Sequence, residues 1–302
     1  EIPLSIVSNR LIMRINFTNS GSALTTLCRL RGGSIECYSC SEKDIAHEYA
    51  GRFRILGNEG TYVDFYMRFI PKFVNDILNI MKRSGAKDIF FGGYAERTRE
   101  VLEDPYQSLF TSMVLNTAKG RVLSLQEKLA HLFELWVLSK IIEAIDGETI
   151  QRDHWHIGFT WNTPFAFIKS RTLGREFTIY YQPTIYINLI PDIVVFEGVI
   201  DAFLDWGELH KLIDGGRRPL LVIEVKTGIE TTEWGRFEYV VEQLKHYGES
   251  LKPKHMALAI LAKAVGIPTI ELRQLSVDVF EELMNPKASD EFRNYVLRAL
   301  SE

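Results

Sequence analysis

The sequence predicts an α/β protein with a mixed central sheet, preceded by a β-rich N-terminal domain and a helical connector. The apolar run Leu220–Val225, bounded by Pro219 and Gly228, is typical of a strand buried on both faces. A long helical pattern opens at Ser124, and helical and strand-like segments alternate after it. Two kinds of element interleaved in this way favour a sheet covered by helices.

The length of 302 residues suits one large domain or two ordinary ones, and we place the division between 1–122 and 123–302. The chain is 46% hydrophobic and 25% charged, which is an average globular composition. A net charge of −4 does not by itself indicate a nucleic-acid partner, but such binding depends on the local distribution of charge. No apolar run reaches the length of a membrane span and no signal peptide is evident, so we expect no membrane partner and a cytoplasmic location.

The first part of the chain, up to about residue 70, reads as strands. Ile2–Val7, Leu11–Phe17 and Tyr62–Phe69 are rich in β-branched and aromatic residues. Residues 71–122 show helical spacing and form the connector. We expect this region to recognise a target or to bind a partner.

Three cysteines, Cys28, Cys37 and Cys40, are too few for a disulfide framework and fit a reducing compartment. With His47 they would also suit a zinc ion held by three thiolates and one imidazole. The plainer interpretation is that the three cysteines are small buried residues in a β-rich segment. Their spacing is compatible with both this interpretation and a zinc site.

The second part has a clearer order. Ser124 and Glu127 form a capping-box pattern at the start of a helix that we expect to end at Gly147. Strand-like segments follow, including Phe177–Leu189, Ile193–Phe196 and Leu220–Val225, and then a helix from Glu233 to about Leu251 and a strand over Met256–Leu261.

Charged residues interrupt this apolar pattern at two strand ends. Glu224 and Lys226 are two apart, so in a strand they share a face while Val225 points the other way. Asp192 follows Pro191 and directly precedes the apolar segment Ile193–Phe196. Buried charges are costly unless they are paired or bind a ligand, and carboxylates are the ligands that Mg²⁺ prefers.

Asp192, Glu224 and Lys226 together resemble the signature of the PD-(D/E)XK nuclease superfamily. The helix, strands, helix and strand from Ser124 onward resemble its restriction-endonuclease-like αβββαβ core. Gln243 and Tyr247, four apart on the following helix, are similar to the QxxxY motif of the RecB-like branch.

Glu134 lies on the apolar first helix, where members of this superfamily often carry an acidic residue that helps to hold the metal. The Glu-Leu-Trp context of Glu134 also loosely resembles the nuclease subunits of McrC-type restriction systems, although these more often have Asp where Glu224 stands. Asp201, in Gly-Val-Ile-Asp, resembles another form of the same motif and is a rival to Asp192 as metal ligand.

The resemblance implies a Mg²⁺-dependent deoxyribonuclease, in which Mn²⁺ can substitute and which acts in defence, restriction or DNA processing. It implies catalytic roles for Asp192, Glu224, Lys226, Glu134, Gln243 and Tyr247, and metal ligation by Asp192, Glu224, Glu134 and the Val225 carbonyl oxygen. An endonuclease is favoured. A stand-alone site-specific restriction enzyme and a non-cleaving nucleic-acid-binding module stay open as alternatives, as do a homodimer and an NTPase motor subunit as partner.

DNA contacts are harder to assign. Arg152, His154 and His156 form one basic cluster, Lys169, Arg171 and Arg175 a second, and Arg217 and Arg218 a third. Each could neutralise phosphates, which supply much of the affinity for DNA. Trp155 and Trp161 could stack on unpaired bases, although tryptophans more often belong to a core.

Overall fold

The computed structural model describes residues 11–17, 23–31, 34–40, 72–92, 102, 123–151, 155–186, 189–227, 236–262 and 267–302. The chain divides into two compact units, one formed by Glu1–Lys72 and Asp104–Leu129 and the other by Phe73–Glu103 and Ala130–Glu302. The expected strands at Ile2–Val7 and Tyr62–Phe69 lie outside the described residues.

The first unit contains an antiparallel sheet of three strands: β1 (Leu11–Phe17), β2 (Ala23–Arg31) and β3 (Ser34–Cys40), in the order β1-β2-β3. The strand expected at Leu11–Phe17 is therefore confirmed. Cys28 and Cys37 are opposite each other in the register of β2 and β3.

The second unit is an α/β structure built on a mixed sheet of nine strands, which confirms the expected fold class at this level. Its strands are β4 (Ile89–Phe91), β5 (Gly147–Ile150), β6 (Ile157–Phe159), β7 (Ala166–Ser170), β8 (Glu176–Tyr181), β9 (Ile193–Glu197), β10 (Leu221–Lys226), β11 (His255–Ile260) and β12 (Val277–Phe280). The described helices are α1 (72–83), α2 (Leu123–Ala144), α3 (Trp206–Asp214), α4 (Arg236–Leu251), α5 (Thr269–Gln274) and α6 (Pro286–Ser301).

The strand order is β12-β11-β10-β9-β8-β7-β6-β4, with β5 paired to β7. The neighbouring pairs from β6 to β10 are antiparallel, whereas β10, β11 and β12 are parallel to one another. Because β10 and β11 are parallel, the chain must cross over between them, and α4 provides that crossover.

The central strands are apolar on both faces because helices cover both. One face of the sheet forms a core with α3 and α4, in which Tyr180, Val194 and Val222 pack with Leu209 and Leu244. Side chains alternate along a strand, so the neighbouring residue Tyr181 points to the other face, where its hydroxyl group contacts Glu134 of α2. The two helical layers therefore meet the sheet from opposite sides.

One expected strand was too long. The pattern predicted a strand over Phe177–Leu189, but β8 ends at Tyr181. Gln182 has φ +45°, a left-handed conformation that cannot continue a strand, and Pro183 follows it. The apolar side chains of Ile185 and Leu189 are still buried, but in a loop that folds back through a bridge between Tyr186 and Leu189.

Candidate active site

The antiparallel pairing of β9 and β10 brings Asp192 to the end of β10. Asp192 immediately precedes β9, and Ile193 is opposite Ile223 in the register. Its Oδ2 accepts a hydrogen bond of 2.7 Å from the backbone N–H of Val225. The expectation that Asp192 lies beside the neighbouring strand end is therefore confirmed, across 33 positions of sequence.

Glu224 and Lys226 lie on the same side of β10 and form an ion pair. Glu224 is 1% exposed, whereas the Lys226 side chain is 21% exposed, so the ammonium group extends toward solvent from a buried carboxylate. Tyr247, which is fully buried on α4, donates its hydroxyl hydrogen toward Glu224 Oε2 (3.1 Å) and the Ile190 carbonyl oxygen (3.0 Å). Burial and the Glu224 charge raise the pKa of Tyr247, so it remains a donor.

Glu134 reaches the same strand ends from α2 on the other face of the sheet. It is 6% exposed, and its Oε2 accepts hydrogen bonds of 2.8 Å from Tyr181 Oη and 2.8 Å from Gln182 Nε2. His131 Nδ1, one turn earlier on α2, is 3.4 Å from the same oxygen. The backbone N–H of Gln182 donates to the Asp192 carbonyl oxygen at 2.8 Å. Through Gln182, the Glu134 carboxylate is therefore connected to the amino end of β9.

The three carboxylates have different electrostatic environments. Burial, followed by the charges of Glu224 and Glu134, raises the pKa of Asp192 well above its ordinary value, against the opposing effect of Lys226. Burial also acts to raise the pKa of Glu134, but His131 and the Tyr181 hydroxyl group outweigh it, so the pKa of Glu134 is lowered. Asp192 therefore takes up a proton more readily than Glu134 does.

The charge balance of this cluster favours a cation. Asp192, Glu224 and Glu134 are buried together, and Lys226 is the cation of the described residues that lowers the pKa of both Asp192 and Glu134. Within the described ranges, no group of three or more His, Cys, Asp or Glu side chains already has metal-ligating geometry. Lys226 and Tyr247 contact the Glu224 oxygens, and Tyr181 and Gln182 contact Glu134.

Gln243 and Tyr247, the two residues of the predicted motif on α4, differ in their hydrogen-bond partners. Tyr247 contacts Glu224 directly, whereas the buried Oε1 atom of Gln243 has no hydrogen-bond partner in the described part of the chain. The Oγ1 atom of Thr227, the residue after Lys226, is also buried and has no hydrogen-bond partner among the described residues. Buried acceptors without a donor are rare and are typical of sites that take a ligand or water.

Asp201, the rival carboxylate, is exposed. It belongs to the segment after β9 in which the Ile200 and Ala202 carbonyl oxygens accept from Tyr180 Oη. The structure thus brings together Asp192, Glu224, Lys226, Glu134 and Tyr247, with Asp201 on a separate segment.

Among the basic clusters expected to contact DNA, His156 is 8% exposed and hydrogen-bonds Asp88. Arg171 lies beside Asp146 and Glu148, and Arg175 pairs with Glu197. These three residues therefore have structural partners. Arg152 and His154 lie outside the described residues.

Arg217 and Arg218 are exposed, and with Lys254 they line a cleft of about 680 Å³. This cleft is at the amino end of β10, at the opposite end of that strand from Lys226. Of the two tryptophans, Trp155 stacks on Phe90 with 4.6 Å between ring centroids, whereas Trp161 is 52% exposed.

Tyr181, Gln182 and His131 were missed by the sequence analysis. Each belongs to an ordinary amphipathic or strand-like pattern, and nothing in the sequence marks it as a neighbour of Glu134. The only local sign is Pro183, which indicates that the strand ends near Gln182.

No protein-family model matches this chain, and neither the characterised proteins nor the solved structures contain a significant match.

Among the described residues, no helix has the length and apolar character needed to cross a membrane.

Proposed function

We propose that this chain is a Mg²⁺-dependent deoxyribonuclease of the PD-(D/E)XK type, which hydrolyses phosphodiester bonds at the ends of β9 and β10. The observation that carries the proposal is the convergence of Asp192, Glu224, Glu134 and Lys226 at one edge of the sheet. A purely structural protein gains little from burying three carboxylates around one lysine, because their mutual repulsion and desolvation oppose folding.

The topology supports the same assignment. Strands β8, β9 and β10 form an antiparallel meander, α4 crosses over, and β11 is parallel to β10, with α2 earlier in the chain. This order of elements is compatible with the αβββαβ core that the resemblance implies, which supports the proposal. The chain departs from the minimal pattern because β5, β6 and β7 are inserted between α2 and β8 and α3 between β9 and β10.

The donors are of the chemical kind that Mg²⁺ prefers, although the carboxylates of the described residues do not already have metal-ligating geometry. Asp192 and Glu224 offer carboxylate oxygens, Glu134 offers a third, and the Val225 carbonyl group is an expected fourth ligand. The Val225 N–H contacts Oδ2 of Asp192, and the other carboxylate oxygen, Oδ1, is the atom proposed to bind the cation. When bound, the ion would polarise the phosphate group and lower the pKa of a coordinated water.

The protein's own residues supply the remaining functions. Hydrolysis forms a bond from a water oxygen to phosphorus, breaks the bond from phosphorus to the leaving oxygen, and moves a proton from the water to that oxygen. Lys226, which is partly exposed beside the buried Glu224, can orient the attacking water or balance the negative charge on the phosphate. Tyr247 holds Glu224 in place, and Tyr181 and Gln182 hold Glu134.

The test is a cleavage assay on supercoiled plasmid, linear duplex and single-stranded DNA, with Mg²⁺, Mn²⁺ or EDTA. We expect metal-dependent cleavage by the wild type that is lost in Asp192→Ala and Lys226→Ala, and retained in Asp201→Ala. Lys287→Ala is the matched control, because the Lys287 side chain is 86% exposed and lies on α6.

Each outcome has a separate meaning. An inactive Asp201→Ala variant beside an active Asp192→Ala variant would move the metal site to the rival carboxylate. Equal cleavage by wild type and Lys226→Ala would indicate a contaminating nuclease. A folded wild type that cuts none of the substrates with either metal would contradict hydrolysis by the chain alone.

A further inference from the structure

Four exposed aromatic residues form two contacting pairs on loops of the second unit. Trp161, Tyr186, Phe203 and Trp206 are 52%, 55%, 44% and 38% exposed, and we call them the aromatic platform. Trp161 and Phe203 meet edge to face with centroids 5.3 Å apart, and Tyr186 and Trp206 are tilted at 5.5 Å. Large exposed aromatic side chains in contact with one another are typical of binding surfaces.

The platform is held by one buried residue. Asn162, 2% exposed and with φ +54°, accepts a 2.6 Å hydrogen bond from the Thr184 N–H and donates to the Thr184 carbonyl oxygen at 2.8 Å. Its own carbonyl oxygen accepts from the Leu204 N–H at 2.7 Å. The three loops that carry the aromatic rings are therefore tied together at a left-handed residue, an arrangement that favours a preformed surface.

Hydrogen bonds along β8 show which edge of the sheet this surface occupies. After β9, the chain returns beside β8: Gly198 N–H donates to the Glu176 carbonyl oxygen, and Ile200 N–H donates to Thr178 Oγ1. Further along, Tyr180 Oη donates to the Ile200 and Ala202 carbonyl oxygens. Phe203 and Trp206 consequently lie toward the carboxyl end of β8, where Tyr181 and Gln182 contact Glu134.

A second connection runs through Ile190. The loop that carries Tyr186 continues to Ile190, whose carbonyl oxygen accepts the Tyr247 hydroxyl group that also contacts Glu224. The Ile190 side chain is itself 42% exposed, and Asp192 is two residues further on, at most about 7 Å away along the chain. Ile190 is thus an exposed apolar side chain two residues before Asp192 in the sequence.

We propose that the aromatic platform binds the bases of unpaired DNA and delivers a single-stranded segment to the site at Asp192 and Glu224. This inference rests on the proposed nuclease function and names the substrate class. Aromatic side chains stack on any base and need no sequence match. Asp201 and Asp205 are exposed acids on either side of Phe203 in the sequence, so base stacking rather than attraction of phosphates has to supply the affinity at this surface.

The test measures DNA affinity in EDTA, so that hydrolysis does not enter. A fluorescein-labelled 20-residue oligothymidylate and a duplex of equal length are titrated with the full chain and followed by anisotropy. We expect Trp161→Ala and Trp206→Ala to raise the single-strand Kd about 5- to 100-fold, the range given by the loss of one stacking contact. Trp161→Phe and Trp206→Phe should restore most of the affinity, because phenylalanine still stacks.

Two controls accompany these variants. Ile270→Ala removes a 69% exposed apolar side chain on α5 and should leave the affinity unchanged. Stacking also predicts that the slope of log Kd against log salt is equal in the wild type and the alanine variants, since a lost phosphate contact would reduce it.

Wild-type affinity for single-stranded DNA in the alanine variants would overturn the proposal, as would the absence of single-strand binding by the wild type. A wild-type dimer in light scattering that Trp161→Ala dissociates, with oligothymidylate affinity unchanged, would also overturn it and make this surface an interface between two copies. Reduced affinity in the alanine variants of a chain that cuts no DNA would support the platform while contradicting the nuclease.

Discussion

The Tyr247 hydroxyl group offers the sharpest test of how Glu224 is held. Tyr247→Phe removes the donor that contacts Glu224 Oε2 at 3.1 Å and the Ile190 carbonyl oxygen at 3.0 Å, and it leaves the buried ring in place. A hydroxyl group has one hydrogen, so the two contacts share it and count as about one bond. A hydrogen bond to a charged group contributes about 1.5–3 kcal/mol to the free energy of unfolding.

Tyr295→Phe is the matched control. Tyr295 is also buried, and its hydroxyl group donates to the Met256 carbonyl oxygen at 3.1 Å, so its removal should cost only about 0.5–1.5 kcal/mol. For a unit of about 200 residues, each kcal/mol shifts Tm by about 2–4 °C. The melting temperature in EDTA should therefore fall by about 3–12 °C in Tyr247→Phe and by about 1–6 °C in Tyr295→Phe.

The activity measurement separates positioning from stability. At a temperature well below both melting transitions, kcat/KM for Mg²⁺-dependent cleavage should fall in Tyr247→Phe and stay at the wild-type value in Tyr295→Phe. If the two variants lost the same stability and both retained full activity, Tyr247 would be an ordinary core residue and the reasoning about Glu224 would fail.

Three further predictions concern the same site. The raised pKa of Asp192 means that its folded form binds a proton more tightly than the unfolded form, so without metal the free energy of unfolding should decrease as the pH rises from about 4 through the raised pKa. Asp192→Asn should remove that decrease in urea-unfolding curves recorded across pH, and an unchanged pH dependence would contradict the assignment. Mg²⁺ at about 100 times its Kd should stabilise the wild type by about 2.7 kcal/mol and Asp192→Asn by much less, as a calorimetric melt can measure. Gln182→Gly should be more stable than Gln182→Ala by about 1 kcal/mol, because glycine accepts φ +45°. Both variants lose the hydrogen bond to Glu134 and should bind Mn²⁺ more weakly than the wild type in titration calorimetry. An Mn²⁺ affinity equal to that of the wild type would contradict a positioning role for Gln182.

Local patterns in the sequence were sufficient for the elements that carry the chemistry. The apolar run before Gly228 predicted β10, and the two-residue spacing of Glu224 and Lys226 predicted the shared face on which they now form an ion pair. Strand periodicity is a short-range property, so a single segment determines it. The helix that bears Glu134 and the crossover helix α4 were predicted for the same reason, within a few residues at their ends.

Long-range contacts could not be read in this way. The hydrogen bond from Val225 to Asp192 spans 33 positions, and the contacts from Tyr181 and Gln182 to Glu134 span 47 and 48. Each depends on which strands become neighbours and on which face a helix packs. The left-handed turn at Gln182 illustrates the difficulty, because an apolar pattern continued beyond the residue at which the strand ends.

The solvent exposure of individual side chains also depended on the tertiary fold. Trp155 and Trp161 were equivalent in the sequence, but the first stacks on Phe90 and the second reaches the surface beside Phe203. By itself the sequence determined the α/β class, the strand and helix that bear Glu224 and Glu134, and the identity of the candidate carboxylates. The tertiary structure decided that Asp192, Glu224 and Glu134 meet at neighbouring strand ends and that Trp161 and Phe203 form an exposed pair, because such proximity arises from sheet order and loop packing, which no local periodicity encodes.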